Sequence, residues 1–259
     1  MINHNSNLIE VVRNKSIPVA DGLVFWYRYG TYESGSSTWN DAYFGNLNAQ
    51  VVSSSFIQDS GSLGWDFNHT SSQAAYLNIT TGSNEAYFPT GSYTFLLYGL
   101  LDTENRDGDP ADSANVILSR DNEPWTSGWL WEYDTRRKEM QYFNLDNTSN
   151  QSRFSISAEV SSSLNLFACV VDVTNNSSSV FLNTQSIQDL ATGSAIVPFS
   201  NGSSNPVWIG KKNHQLGAFS NGWTYGGTIK HTLLYNRVLS PEEQFQILQF
   251  FKFNPYPLF

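Results

Sequence analysis

Gly226-Gly227-Thr228-Ile229-Lys230-His231-Thr232-Leu233-Leu234-Tyr235-Asn236-Arg237-Val238-Leu239-Ser240-Pro241-Glu242-Glu243 carries the strongest local structural signals in the chain. An apolar run of buried-strand type meets a short turn and then a fully written helix start. Ser240 has the side chain of an N-cap, Pro241 stands at N1 where its missing N–H costs nothing, and Glu243 closes an S-x-x-E capping box. Glu242 and Glu243 also favour the positive end of the helix dipole. Such a cap is worth about 1 kcal/mol over alanine. The pattern predicts a helix over Pro241 to Lys252, with Phe245, Leu248 and Phe251 on one face and Asn254-Pro255 as its stop.

Upstream, short apolar or alternating runs are separated by Gly, Asn, Ser and Asp. They predict strands at Gly22–Tyr29, Gln50–Ile57, Gly64–Phe67, Ala74–Ile79, Tyr93–Leu101, Asn115–Arg120 and Gly128–Asp134. Further strands are predicted at Glu139–Asn144, Arg153–Ser157, Leu164–Val173, Ser179–Asn183, Pro206–Gly210 and Thr228–Asn236. Many short strands with turn formers between them describe a sandwich or barrel. Residues 1–20, ending at Ile17-Pro18-Val19-Ala20, read as an extended N-terminal arm, and residues 21–259 as one domain. A single all-β domain of this length, 259 residues, buries a sizeable core.

Charged residues make up only 14% of the chain and aromatics 15%, so ring burial rather than ion pairing has to supply most of the stability. The net charge of −9 argues against nucleic acid, since the one basic cluster, Arg136-Arg137-Lys138, sits between Asp134 and Glu139. Cys169, the single cysteine, lies in an apolar run and reads as a small core hydrophobe. Met1 to Ala20 lacks the apolar region of a signal peptide, and no run reaches the length of a membrane span. Synthesis in a cytoplasm with no membrane insertion is the expectation.

The order of these pieces resembles the concanavalin A-like, or laminin-G-like, jelly-roll superfamily. Asp21-Gly22-Leu23-Val24-Phe25-Trp26-Tyr27 looks like its first strand, and Trp65-Asp66-Phe67-Asn68 with Ala75-Tyr76-Leu77-Asn78-Ile79 resembles its early hairpin. Gly91-Ser92-Tyr93-Thr94-Phe95 looks like the strand before the mid-domain loop, and Trp208-Ile209-Gly210 matches an isoleucine-glycine strand end. Leu166 to Val173 with Val180-Phe181-Leu182-Asn183 resembles a strand pair whose turn usually carries glycine; here Thr184 follows Asn183. The closing strand–turn–helix phrase is similar to the family's last segment. The resemblance implies an all-β, two-sheet antiparallel jelly-roll sandwich with one short C-terminal helix. Fold alone does not assign function, since lectins, glycanases and structural domains share it.

Trp129-Leu130-Trp131-Glu132-Tyr133-Asp134 places Glu132 and Asp134 on one strand face and the rings on the other. Glycanases of this fold use an E-x-D-x-x-E type motif or a version one residue longer. Here Glu139 comes one residue too late, Lys138 holds its place, and the basic triplet reads as a turn that puts Glu139 on the next strand. Glu132 and Asp134 are therefore the alternative catalytic pair, against an acidic strand face closed by a basic turn. For ligand binding, Trp125 in one loop and Asn221, Trp223 and Tyr225 in another put rings and an amide among turn formers, as sugar stacking and hydroxyl recognition require. Plugging of the sandwich edges competes for the same rings. Calcium is frequent in the family and takes oxygen ligands. The oxygen-rich positions are Asp66, Asn68, Asp107 and Asp109, of which the loop pair reads as a solvated turn without EF-hand spacing. Lys230 stands where relatives often carry an acidic residue. His231, alternating with Ile229 and Leu233, reads as a satisfied, partly buried histidine rather than a ligand.

The leading expectation is a non-enzymatic recognition or decoration domain of a virus particle, of head-fibre, decoration or tail-adhesin type, that binds surface glycan. Residues 1–20 would dock it on capsid or tail proteins. A glycoside hydrolase or lyase using Glu132 and Asp134, and a purely structural virion protein, are the rival readings.

Overall fold

The computed structural model describes residues 17–33, 36–52, 57–59, 64–67, 75–79, 82–102, 114–121, 128–145, 151–157, 160, 163–183, 185–189, 196, 199, 205–211 and 225–254. In chain order the strands are β1 (Leu23–Glu33), β2 (Thr38–Asp41), β3 (Ala49–Val52), β4 (Ile57–Asp59), β5 (Trp65–Phe67) and β6 (Tyr76–Ile79). After a 3₁₀ turn at Gly82–Tyr87 come β7 (Tyr93–Leu101), β8 (Ala114–Asp121), β9 (Gly128–Asp134), β10 (Glu139–Leu145) and β11 (Gln151–Ser157). β12 (Asn165–Asp172), β13 (Ser177–Leu182), β14 (Gln185–Asp189), β15 (Val207–Ile209), β16 (Gly227–Tyr235) and helix α1 (Pro241–Phe253) complete the set. The strands β2, β4 and β14 are additions to those predicted; each is short and polar, so periodicity says little about them.

All pairings are antiparallel, in the order β11-β10-β9-β8-β15-β6-β3-β2-β1-β16-β7-β12-β13-β14, with β5 on β16 and β4 on β5. The ribbon folds into two layers because its strands alternate. In β7, Tyr93, Phe95 and Leu97 enter the main core while Leu96 and Tyr98 face the other way; in β12, Phe167, Cys169 and Val171 oppose Leu166, Ala168 and Val170. The same main core takes Trp129, Trp131 and Tyr133 of β9, Leu77 and Ile79 of β6, and Val207 and Ile209 of β15. Contacts between layers are direct: Phe95 meets Trp131 edge-on at 5.8 Å, and the Tyr93 and Tyr142 hydroxyls lie 3.0 Å apart. The result is a β-sandwich with β1, β16, β7, β12, β13 and β14 in one layer and β3, β6, β15, β8, β9, β10 and β11 in the other.

The outer side of the first layer is covered by α1 and by Ile17–Ala20. Ile17 and Val19 are buried beside Ile247, Leu248 and Phe251, and the Tyr235 hydroxyl donates to Val19 O at 2.9 Å. The last residues of the expected arm thus belong to the domain; residues 1–16 lie outside the described residues. The capping box forms as read: Glu243 N donates to Ser240 Oγ at 3.3 Å, and Ser240 N to Glu243 Oε2 at 2.9 Å. Arg237 clamps the same carboxylate at 2.6 and 2.9 Å. The helix face differs from expectation. Gln244, Ile247, Leu248 and Phe251 are buried, whereas Phe245 is half exposed, because the i, i+3, i+4, i+7 stripe starts at Gln244.

A bulge in β16 corrects the alternation read for His231. The register with β7 shifts between Ile229 and His231, so Ile229 enters the main core while His231 joins Leu233 on the helix side. There His231 is fully buried among Trp26, Tyr98 and Phe251, with the Phe251 ring stacked at 4.2 Å. Trp26 Nε1 donates to His231 Nδ1 at 3.4 Å, which makes the imidazole a neutral acceptor. The turn does without the glycine that usually follows Asn183. Asn183 itself takes the left-handed conformation (φ 52°), and its side chain accepts from Leu166 N and donates to Asn165 Oδ1.

Candidate ligand-binding site

The β2–β3 loop is rigid because Asp41 sits at its start. Its Oδ1 accepts from Trp26 N and from Tyr43 N, both at 3.0 Å, and its Oδ2 from Phe44 N at 3.2 Å. The far end is held by Asn48 Oδ1, which accepts from Asp41 N at 2.9 Å, and by the Tyr27 hydroxyl on Leu47 O. A loop pinned this way holds rings out in solvent that would otherwise collapse onto the core. Phe44 is 60% exposed and Tyr43 38%, with their rings edge-to-face at 4.2 Å. The Tyr43 hydroxyl donates to Ala20 O at 3.3 Å.

Facing them, Tyr87 projects from the 3₁₀ turn and is 50% exposed. That turn is held from β8 by Arg120, which is completely buried. Its guanidinium pairs with Glu85 at 2.6 Å and donates to Phe199 O at 2.8 Å and Asn205 O at 3.2 Å. It also lies 5.6 Å above the ring of Phe88. Between the two ring-bearing elements is an open pocket of about 570 Å³, within the size range of small-ligand sites. Its remaining lining includes Asp21, Gly22 and Asn236. Gly22 has φ +76°, and a Cβ there would stand 2.7 Å from Asn236 Oδ1, so glycine keeps this wall open. Asp21 is the one charged residue of the lining. The pocket therefore offers ring faces, an amide, carbonyls and a carboxylate that is itself paired with Arg237 at 3.2 Å.

The one sequence-predicted binding residue among the described residues, Tyr225, falls elsewhere. Tyr225 is 1% exposed; it packs edge-on against Phe67 at 6.2 Å and donates to Leu100 O at 2.8 Å. Burial, with the nearby Asp66 carboxylate, pushes its phenol pKa well up. Its ring is core, not a ligand platform. Trp125, Asn221 and Trp223 lie outside the described residues, as do Asn68, Asp107 and Asp109. Asp66 stands on β5 opposite Thr228 and Gln58, and among the described residues no group of three His, Cys, Asp or Glu side chains gathers as a metal site would need. Tyr43, Phe44 and Tyr87 were missed. The first two carry a readable signal, two rings inside the turn-forming run Asn40-Asp41-Ala42-Tyr43-Phe44-Gly45-Asn46. Tyr87 carries none until Arg120 fixes its turn.

Glu132 and Asp134 lie on the outer face of β9, with Trp129, Trp131 and Tyr133 in the core. Asp134 is committed to the β9–β10 turn. Its Oδ1 accepts from Arg136 N and Arg137 N at 3.0 and 2.9 Å, and its Oδ2 pairs with Arg137 at 2.9 Å. Lys138 completes the turn at φ 53°, and Glu139 stands across from Asp134 on β10. Glu132 is 4% exposed, opposite Gln141. The basic triplet is the turn that the sequence indicates, and one member of the alternative catalytic pair closes it.

The same outer face carries a second cluster. Tyr76 and Trp208 lie 4.7 Å apart, and Lys211 Nζ sits 4.9 Å from the Tyr76 ring and 5.6 Å from that of Trp208. Ser119 Oγ donates to Lys211 O at 2.7 Å, fixing the backbone there. Trp208 stands in register between Asn78 and Ser119. Among the described residues its indole N–H and Asn78 Oδ1 are buried without hydrogen-bond partners, an arrangement costing about 1–3 kcal/mol per group.

An antiparallel β-sandwich is the class this geometry defines, and solved structures share that fold. The chain is similar to the Trypanosoma rangeli sialidase, with a TM-score of 0.57 at 19% identity over 93% of this chain and 34% of that one. The same sialidase solved in complex with sialic acid gives 0.58 at 19% identity, again over 93% and 34%. This chain thus spans about a third of the sialidase's length. The Ruminococcus gnavus IT-sialidase CBM40, solved also bound to α2,3-sialyllactose, gives 0.48 at 18% identity over 61% of this chain and 83% of that one. No family model matches the sequence, and no curated protein matches it.

Proposed function

We propose that this domain recognises glycans without cleaving them, and that the pocket between Tyr43–Phe44 and Tyr87 holds a neutral sugar. The observation that carries the reading is the trio of exposed rings held around an open pocket by Asp41 on one side and Arg120 on the other. Exposed rings cost solvation, and a scaffold that pins them outward serves a ligand with apolar C–H faces. Asp21, Asn236 and the loop carbonyls supply acceptors and a donor for hydroxyls. A wall whose one carboxylate is already paired with Arg237 favours an uncharged sugar. The fold shared with a sialidase supports the class of ligand. Commitment of Asp134 to its turn supports binding over hydrolysis.

Screening the protein on a glycan array, beside Phe44→Ala and Tyr87→Ala, tests this. Bound neutral glycans are expected, with affinity falling about tenfold per removed ring, the effect of roughly 1.4 kcal/mol. An array without hits, or hits indifferent to both substitutions, overturns the reading. Reducing ends released from a bound glycan by the wild type and not by Glu132→Gln would overturn the non-enzymatic part.

The same reading puts the domain on a virus particle, with the part of the N-terminal arm that precedes Ile17 as its docking segment. Its support is the Asn/Ser/Thr- and aromatic-rich composition and the single cysteine. Mass spectrometry of purified particles is expected to find the chain with capsid or tail proteins; its absence from particles refutes the placement.

A further inference from the structure

We propose a second site, of different chemistry, on the outer face of the second layer: Lys211, seated on the rings of Tyr76 and Trp208, receives the carboxylate of a sugar acid. The chain has 23 acidic and 14 basic residues, so an unpaired cation is unusual in it. Arg120, Arg137 and Arg237 each hold a carboxylate, at 2.6, 2.9 and 2.6 Å respectively. No carboxylate of the described residues pairs with Lys211; its ammonium rests on two aromatic rings instead. Partial burial lowers its pKa, so an arriving anion restores the charged form's stability.

Trp208 is 5% exposed, and among the described residues its buried indole N–H has no acceptor and Asn78 Oδ1, directly across the ladder, has no donor. A sugar acid fits the accessible part of this cluster: its carboxylate pairs with the ammonium and a C–H face lies on the partly exposed Tyr76. The pocket between Tyr43–Phe44 and Tyr87 shares no residue with this cluster, so the two are separate sites.

Isothermal titration and saturation-transfer NMR with glucuronate, N-acetylneuraminate, their methyl esters and glucose 6-sulfate test the site. At least one free acid is expected to bind, with its ester at least tenfold weaker, weakened by salt, lost in Lys211→Met and largely kept in Lys211→Arg. Thermal unfolding of both variants confirms that they are folded, and Lys211→Gln replaces Lys211→Met should the latter aggregate. Binding must survive Phe44→Ala/Tyr87→Ala, which separates it from the first pocket. Equal binding of acid and ester, indifference to Lys211→Met, binding of the sulfate alone, or no binding of either acid overturns the proposal.

Discussion

His231 shows how a single residue ties packing to solution conditions. It is buried between the first layer and α1, accepts from Trp26, and stacks on Phe251. Burial, with the positive charges of Lys230 and Arg28 nearby, holds its pKa well below the usual 6.5. The folded state therefore keeps it neutral in a pH range where the unfolded chain takes up a proton. Stability from this group is complete above about pH 6.5 and is lost as pH falls below that value, at about 1.4 kcal/mol per unit until the folded pKa is reached. Guanidinium unfolding between pH 7.5 and 5 should show this slope, and His231→Phe should flatten it. An equal slope in the variant would contradict the assignment.

At the scale of elements, the seam between β7 and β16 leaves no room for a Cβ at two of its glycines. A Cβ on Gly99 would stand 2.3 Å from Thr228 O, and one on Gly227, at φ +129°, 2.1 Å from Leu100 O. Both obstacles are backbone, which cannot rotate away as a side chain does. Only glycine lets these strands approach beside the bulge between Ile229 and His231. Gly99→Ala is expected to cost about 3 kcal/mol or more and to yield little soluble protein, while Gly91→Ala, with nothing within 4 Å, leaves the melting temperature unchanged. Comparing thermal unfolding of the two variants checks this. The neighbouring strand–turn–helix phrase was legible because its signals are local: a cap, a proline and a glutamate within one turn. The glycine requirement was not legible, since it depends on a strand brought in from far along the chain.

For the whole molecule, the first and last strands pair, β1 on β16, so the sandwich closes only when the two ends of the domain meet. Cys169 lies between the layers, 2% exposed, and burial raises its thiol pKa. Native protein should resist a thiol reagent such as dithionitrobenzoate, and labelling in denaturant should follow the global unfolding transition seen by tryptophan fluorescence. Labelling far faster than unfolding would show that the layers separate locally.

The strand–turn–helix phrase, the strand alternation and the β9–β10 turn were determined by sequence alone. Each rests on contacts between residues a few positions apart, or on a periodicity that one face must satisfy. The candidate pocket was decided by tertiary structure. Tyr87 gains its place through Arg120 of β8, Tyr43 and Phe44 through an aspartate bound to β1, and Tyr225, which looked like a loop ring, was drawn into the core. Whether a ring is buried or offered to a ligand depends on which neighbour takes its surface from water. Composition cannot name that neighbour, because it lies elsewhere in the chain and is brought there by the closing of the two layers.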